Sequence, residues 1–108
     1  MLTYNAVKQI AETVFTKSEQ TFQSACLVEY PRKGIWVVAF VSTESKGEIK
    51  TAVNKKNLLT IFVPTTPNPT SGFLLFVPKD DVILLKMSVE NAAKLVISAG
   101  LVVPEHTN

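Results

Sequence analysis

Ile35 to Val41 reads IWVVAFV, a run without a single polar side chain in which six of the seven residues are β-branched or aromatic. Such residues fit a pleated, enclosed surface, so the run reads as a central β-strand buried on both faces. Leu58 to Val63 (LLTIFV) makes the same demand a second time. Two strands of this kind need cover on both sides, supplied by helices or by closure of the sheet on itself. The material for that cover is present, because a third of the 108 residues are Val, Leu, Ile or Phe. That fraction is well above the level at which a charged chain stays disordered, and the length suits one small domain with no room for a second.

The flanking patterns predict helix, strands, helix. Residues 3–17 place Val7, Ile10, Ala11, Val14 and Phe15 at helical spacing, with Lys8, Gln9, Glu12 and Thr13 on the other side. From Thr21 to Tyr30 the period changes to alternation, with Phe22, Cys26, Val28 and Tyr30 on one side and Gln23 and Glu29 on the other. Pro31 to Gly34 is a turn leading into the strand at 35–42. Glu44 to Gly47 is a second turn, and Glu48 to Val53 reads as a more polar, edge-like strand that completes an antiparallel meander. Strands at 58–63, 73–77 and 82–85 follow. Ser88 then caps a helix over 89–99 that buries Ala92, Ala93, Leu95 and Val96, with Gly100 at its left-handed end. Leu101 to Val103 offers a last short strand. The expected fold is α+β: a five- or six-stranded, mainly antiparallel sheet between an N-terminal and a C-terminal helix, with a barrel-like curl as one route to cover.

Chemistry is sparse. The longest uncharged stretch, Asn57 to Pro78, contains apolar runs at Leu58–Val63 and Phe73–Val77, separated by three prolines. Neither approaches the roughly 20 residues of a membrane helix. A signal peptide is not evident, and Lys8, Glu12 and Lys17 punctuate the start. One cysteine, Cys26, excludes an intramolecular disulfide and a thiolate metal cluster, and its place on an apolar strand face marks it as a small core residue. The one histidine, His106, stands in the C-terminal tail. Asp80 and Asp81 are adjacent in a turn, where Asp is expected on conformational grounds. The glycines stand alone at 34, 47, 72 and 100, so no phosphate-binding fingerprint exists. No catalytic, cofactor-binding or metal-ligating residue is assigned. Eleven basic against nine acidic side chains give a net charge of +2, too little to argue for nucleic acid. The pairs Arg32-Lys33 and Lys55-Lys56 fall at turns, where solvated lysines are ordinary; the same residues also suit an anionic membrane surface.

The most informative local feature is the loop Pro64-Thr65-Thr66-Pro67-Asn68-Pro69-Thr70-Ser71-Gly72. Three prolines in six residues restrict φ and remove three backbone donors, which makes the loop stiff and poor at sheet pairing. Its hydroxyl and amide groups either satisfy nearby backbone or meet a ligand. Nine residues exceed an ordinary hairpin connection. Two roles fit: a rigid crossover that sets strand register, with a cis proline as one device, and a preordered recognition loop.

The run Phe62-Val63-Pro64-Thr65-Thr66-Pro67-Asn68-Pro69-Thr70-Ser71-Gly72-Phe73-Leu74-Leu75-Phe76-Val77-Pro78 resembles the signature of the domain of unknown function 502 family, which includes the plant Continuous Vascular Ring-like (COV-like) proteins. The likeness continues through Asp81-Val82-Ile83, Met87 to Ala92 and Ser98-Ala99-Gly100, and upstream through Leu27 to Trp36. The resemblance implies two closely spaced membrane spans followed by a soluble domain of about this size. This chain lacks those spans, so it is expected to be the C-terminal domain, with Leu2 to Phe15 following the second span and the domain on the cytoplasmic side. The family brings no activity and no cofactor. The expected role is therefore a non-enzymatic protein-interaction or assembly module, engaging a protein partner or its own copies through residues 64–72. The alternative is a small polar ligand-binding or enzymatic domain in which Thr65, Thr66, Asn68, Thr70 and Ser71 line a pocket; a nucleic-acid-binding small barrel ranks below both.

Overall fold

The computed structural model describes residue 3, residues 5–9 and residues 22–105. Five strands form one sheet: β1 (Ser24–Glu29), β2 (Trp36–Glu44), β3 (Leu58–Pro64), β4 (Gly72–Pro78) and β5 (Val82–Leu84). Their order is β4-β3-β2-β1-β5, and every neighbouring pair is antiparallel. Two helices accompany the strands, α1 (Gly47–Val53) between β2 and β3 and α2 (Val89–Ile97) at the C-terminal end. Residues 5–9 are also helical, inside the helix expected over 3–17; Ile10, Ala11, Val14 and Phe15 lie outside the described residues, as does His106. The sheet is thus antiparallel with helical partners, as the patterns predict, with five strands among the described residues.

The covalent connection between β4 and β5 reveals the sheet's shape. These strands occupy opposite edges, four interstrand spacings or about 19 Å apart in a flat sheet. Only the three residues of a 3₁₀ turn, Lys79–Asp81, join them, and such a link spans at most about 15 Å. The sheet is therefore strongly curled, bringing its two edges toward one another. A ring contact across the inner face agrees with this: Tyr30, which follows β1, meets Phe73 of β4 with centroids 5.6 Å apart. No ladder joins β4 to β5, so the barrel-like curl stops short of closure.

Each face of the curl carries its own core. Cys26, Val28, Ala39, Val41, Leu59, Ile61 and Val63 fill the inner face, with Leu75, Val77 and Val82 packed against them. All five strands contribute to this cluster, and among the described residues no helix does. Strand alternation dictates the set, since successive side chains point to opposite faces. On the outer face Ala25 and Phe40 meet Ala92, Ala93 and Ile97 of α2 and Val7 of the N-terminal helical residues. Phe22 stacks on Phe40 at 5.3 Å and on Phe62 at 5.7 Å, extending the outer core toward β3. Phe22 thus leaves the side shared by Cys26, Val28 and Tyr30, because the strand begins only at Ser24 and the period of two does not reach back to it.

Residues 48–53 correct the expected edge strand: they are helical. Gly47 enters at φ +68° and Asn54 ends the helix at φ 56°, its N–H bonded to the Lys50 carbonyl. Glu48, Lys50 and Ala52 are good helix formers. The ladder position beside β2 is taken by β3, leaving 48–53 no strand to pair with. Ser42 is the extra residue of a bulge in the β2–β3 ladder, between Val41 and Thr43. Nearby, the buried Ser45 pairs its hydroxyl with Thr60 at 3.0 Å.

Smaller differences concern the ends. Ser88 caps α2 as expected, its Oγ accepting from the Asn91 N–H at 3.0 Å. Ile97 takes the fully buried place expected of Leu95, which is only partly buried. Leu101 to Val103 form no strand; the Val102 N–H instead donates to Ser98 Oγ at 2.9 Å. The start of the run at 35–41 is not enclosed, since Ile35 and Trp36 are 41% and 47% exposed.

Candidate functional site

The loop between β3 and β4 is a self-contained knot of hydrogen bonds. Thr65 N–H donates to the Ser71 carbonyl at 2.9 Å, and the Thr65 hydroxyl is shared between that carbonyl, at 3.1 Å, and the carbonyl of Asn68. Asn68 Oδ1 accepts from both the N–H and the hydroxyl of Thr70, at 3.1 and 2.7 Å. Such turns are what Asn and Thr build when their short side chains reach nearby backbone. Pro64 and Pro69 are buried, whereas Thr66, Pro67, Asn68, Thr70 and Ser71 are exposed. The Thr66–Pro67 peptide is cis, as is Tyr30–Pro31. Gly72 closes the loop where a Cβ would stand 2.1 Å from the Val63 carbonyl oxygen and 3.0 Å from Pro64 Cα.

Most of the polar atoms singled out in the sequence are consequently turned toward one another. Thr65, Asn68 and Thr70 hold the loop's shape. Thr66 instead reaches a groove of about 400 Å³ at the foot of the loop. Trp36 and Val38 of β2, Pro64, Leu95 of α2 and Gly100 just after it form much of the wall. Trp36 is the largest side chain here and stands half-exposed. On the adjacent edge strand Leu74 is 62% exposed, so this end of the molecule presents apolar surface around a rigid polar loop. Trp36 escaped sequence-based selection because its apolar run marks it as core; its place directly after a turn was the available signal.

The remaining candidates are elsewhere. Cys26 is fully buried on the inner face, and that burial pushes its thiol from 9.0 up to about 11. A protonated, enclosed thiol is a poor nucleophile. Asp80 and Asp81 are exposed on the 3₁₀ turn. Among the described residues no three His, Cys, Asp or Glu side chains converge as metal ligands do. Arg32 and Lys33 sit on the exposed turn after β1, where the Gly34 N–H donates to Glu29 Oε2 at 2.7 Å. Lys55 and Lys56 follow α1 at the end of the sheet opposite the loop.

Comparison with known proteins adds a family. Residues 2–71 match the model described as "Protein of unknown function (DUF502)". The chain is 28% identical over 103 residues to Protein LIKE COV 1 of Arabidopsis thaliana, covering 94% of this chain and 39% of that protein. It is also 28% identical over 103 residues to Protein CONTINUOUS VASCULAR RING 1 of the same plant, covering 94% of this chain and 37% of that protein. The chain therefore spans under two-fifths of the length of these relatives. No solved structure matches.

Proposed function

The chain belongs to the DUF502 family of proteins of unknown function, and from that premise we propose that it is a non-enzymatic protein-interaction or assembly module. The supporting observation is the preformed loop 64–72 set beside an open apolar groove. Stiff loops bind with little ordering cost, and a half-exposed Trp next to a concave apolar wall is the kind of anchor that dominates protein interfaces. The polar-ligand alternative draws less support, because the Thr65 and Thr70 hydroxyls and Asn68 Oδ1 are already bonded within the loop.

The family and its COV-like relatives fit a membrane-associated parent protein, and we propose the cytoplasmic side of that parent for this domain. No helix among the described residues is long and apolar enough to cross a membrane. The single buried thiol suits a reducing compartment.

The test is crosslinking and capture from native membranes with the full-length parent, comparing the unaltered protein with a Trp36→Ala, Thr66→Ala variant. Both changes leave the internal hydrogen bonds of the loop in place. Loss of specific crosslinked species in the variant is the expected result. An identical set of species in both would overturn the interaction reading and return the loop to a purely structural role.

A further inference from the structure

Helix α1 buries none of its side chains. A seven-residue helix is marginal in water by itself, and most helices gain their stability from an apolar face packed on a core. Here the apolar residues point outward, with Ile49 and Val53 each 42% exposed. Ile49, Lys50 and Val53 fall at i, i+1 and i+4 on one side of the helix, and Lys46 stands immediately before it as the extended N-cap residue. Glu48, the one acidic residue of α1, projects from the opposite side of the helical wheel. After the helix, Lys55 and Lys56 join Lys50, Thr51, Asn54 and Asn57 around an open hollow of about 740 Å³.

Charge is concentrated in this segment. Residues 44–57 hold four lysines and two glutamates, while the rest of the chain has seven basic and seven acidic side chains. The whole net charge of +2 therefore resides at this end of the sheet. Among the described residues none of the four lysines makes an ion pair; the one such pair is Lys94 with Glu90, on α2.

We infer that α1 and the lysines after it form a docking surface for an anionic lipid bilayer. Lysines above an anionic leaflet are attracted to its surface potential, and outward aliphatic side chains beside them can enter the headgroup boundary. Nucleic acid fits less well, because single strands are held by stacking on aromatic rings and residues 44–57 contain none. Phosphate-bearing or carboxylate-bearing headgroups match the hollow, whose hydroxyl and amide groups can donate alongside three ammonium groups. Strand β3 separates this surface from the loop 64–72, so docking at α1 directs the Trp36 groove away from the bilayer.

The experiment is partitioning of the 108-residue chain onto vesicles of phosphatidylcholine alone and of phosphatidylcholine with phosphatidylserine added to about a third. Binding to the mixed vesicles at low salt, release at high salt and no binding to neutral vesicles are expected. Each lysine near such a surface is worth about fivefold in partition, so Lys50→Gln with Lys55→Gln and Lys56→Gln lowers binding about a hundredfold. Ile49→Asp lowers it as well, while Arg32→Gln with Lys33→Gln and Lys86→Gln, which line other hollows, leaves it unchanged. Equal loss in that second triple variant, equal binding to neutral vesicles, absence of binding, or stronger retention by a single-stranded oligonucleotide would each overturn the inference.

Discussion

Gly72 has no room for a side chain. A Cβ there meets the Val63 carbonyl oxygen at 2.1 Å and Phe62 Cε1 at 2.7 Å, so the loop return and the first β3–β4 pair must part to admit it. Gly72→Ala is expected to lower stability by about 2 kcal/mol, read as a drop in the urea midpoint at unchanged slope. Cys26 gives a second residue-scale prediction. Its native thiol holds a proton up to about 11, whereas an ordinary thiol releases it near 9.0. Between these values the unfolded chain binds fewer protons than the native one, so stability falls as pH rises through that window and is unaffected by this group below it. Urea titrations at neutral and at alkaline pH measure the loss. A disulfide reagent at mildly alkaline pH should label the thiol only as the chain unfolds.

At the scale of elements, α1 and α2 contrast in what holds them. Helix α2 has a side-chain cap from Ser88, a Glu90–Lys94 pair at 3.5 Å and four buried residues. Ser88→Ala is expected to cost about 1 kcal/mol, seen in the thermal midpoint. Helix α1 has no side-chain cap at its N-terminus and nothing buried, and it is held by the Thr51 hydroxyl on the Gly47 carbonyl and by the left-handed Asn54. The strand pattern at 48–53 misled because Ile49, Thr51 and Val53 alternate with Glu48, Lys50 and Ala52. Over six residues an alternating set and a helical stripe overlap, since Ile49 and Val53, four apart, satisfy both periods. The loop 64–72 was legible as stiff from its prolines. That Thr65 and Asn68 spend their polar atoms inside it was not, since hydrogen-bond partners are a property of the folded turn.

For the molecule as a whole, the inner face of the curl is the part that tolerates least. Ile61 is fully buried among residues drawn from all five strands. Ile61→Ala is expected to cost about 3 kcal/mol in chemical denaturation, with the cavity term included. Leu74→Ala, on the open edge strand and 62% exposed, should cost less than about 1 kcal/mol. A reversal of that order would mean that the edge, and not the curled interior, carries the stability. The curl also blunts both edges, because β4 and β5 are drawn toward each other by a three-residue link.

Sequence by itself determined the strands at 24–29, 36–44, 58–64, 72–78 and 82–84 to within a few residues, the Ser88 cap, and the rigid loop. Each follows from local periodicity or from the fixed φ of proline, which neighbours in the chain suffice to set. Tertiary structure decided the strand order, the curl, and which apolar residues stay in water. Trp36 and Phe40 belong to one unbroken apolar run and share the outer face, yet Phe40 is enclosed by Phe22 and α2 while Trp36 lies where the groove is open. Burial is a relation between distant segments, and no window of sequence contains both sides of it.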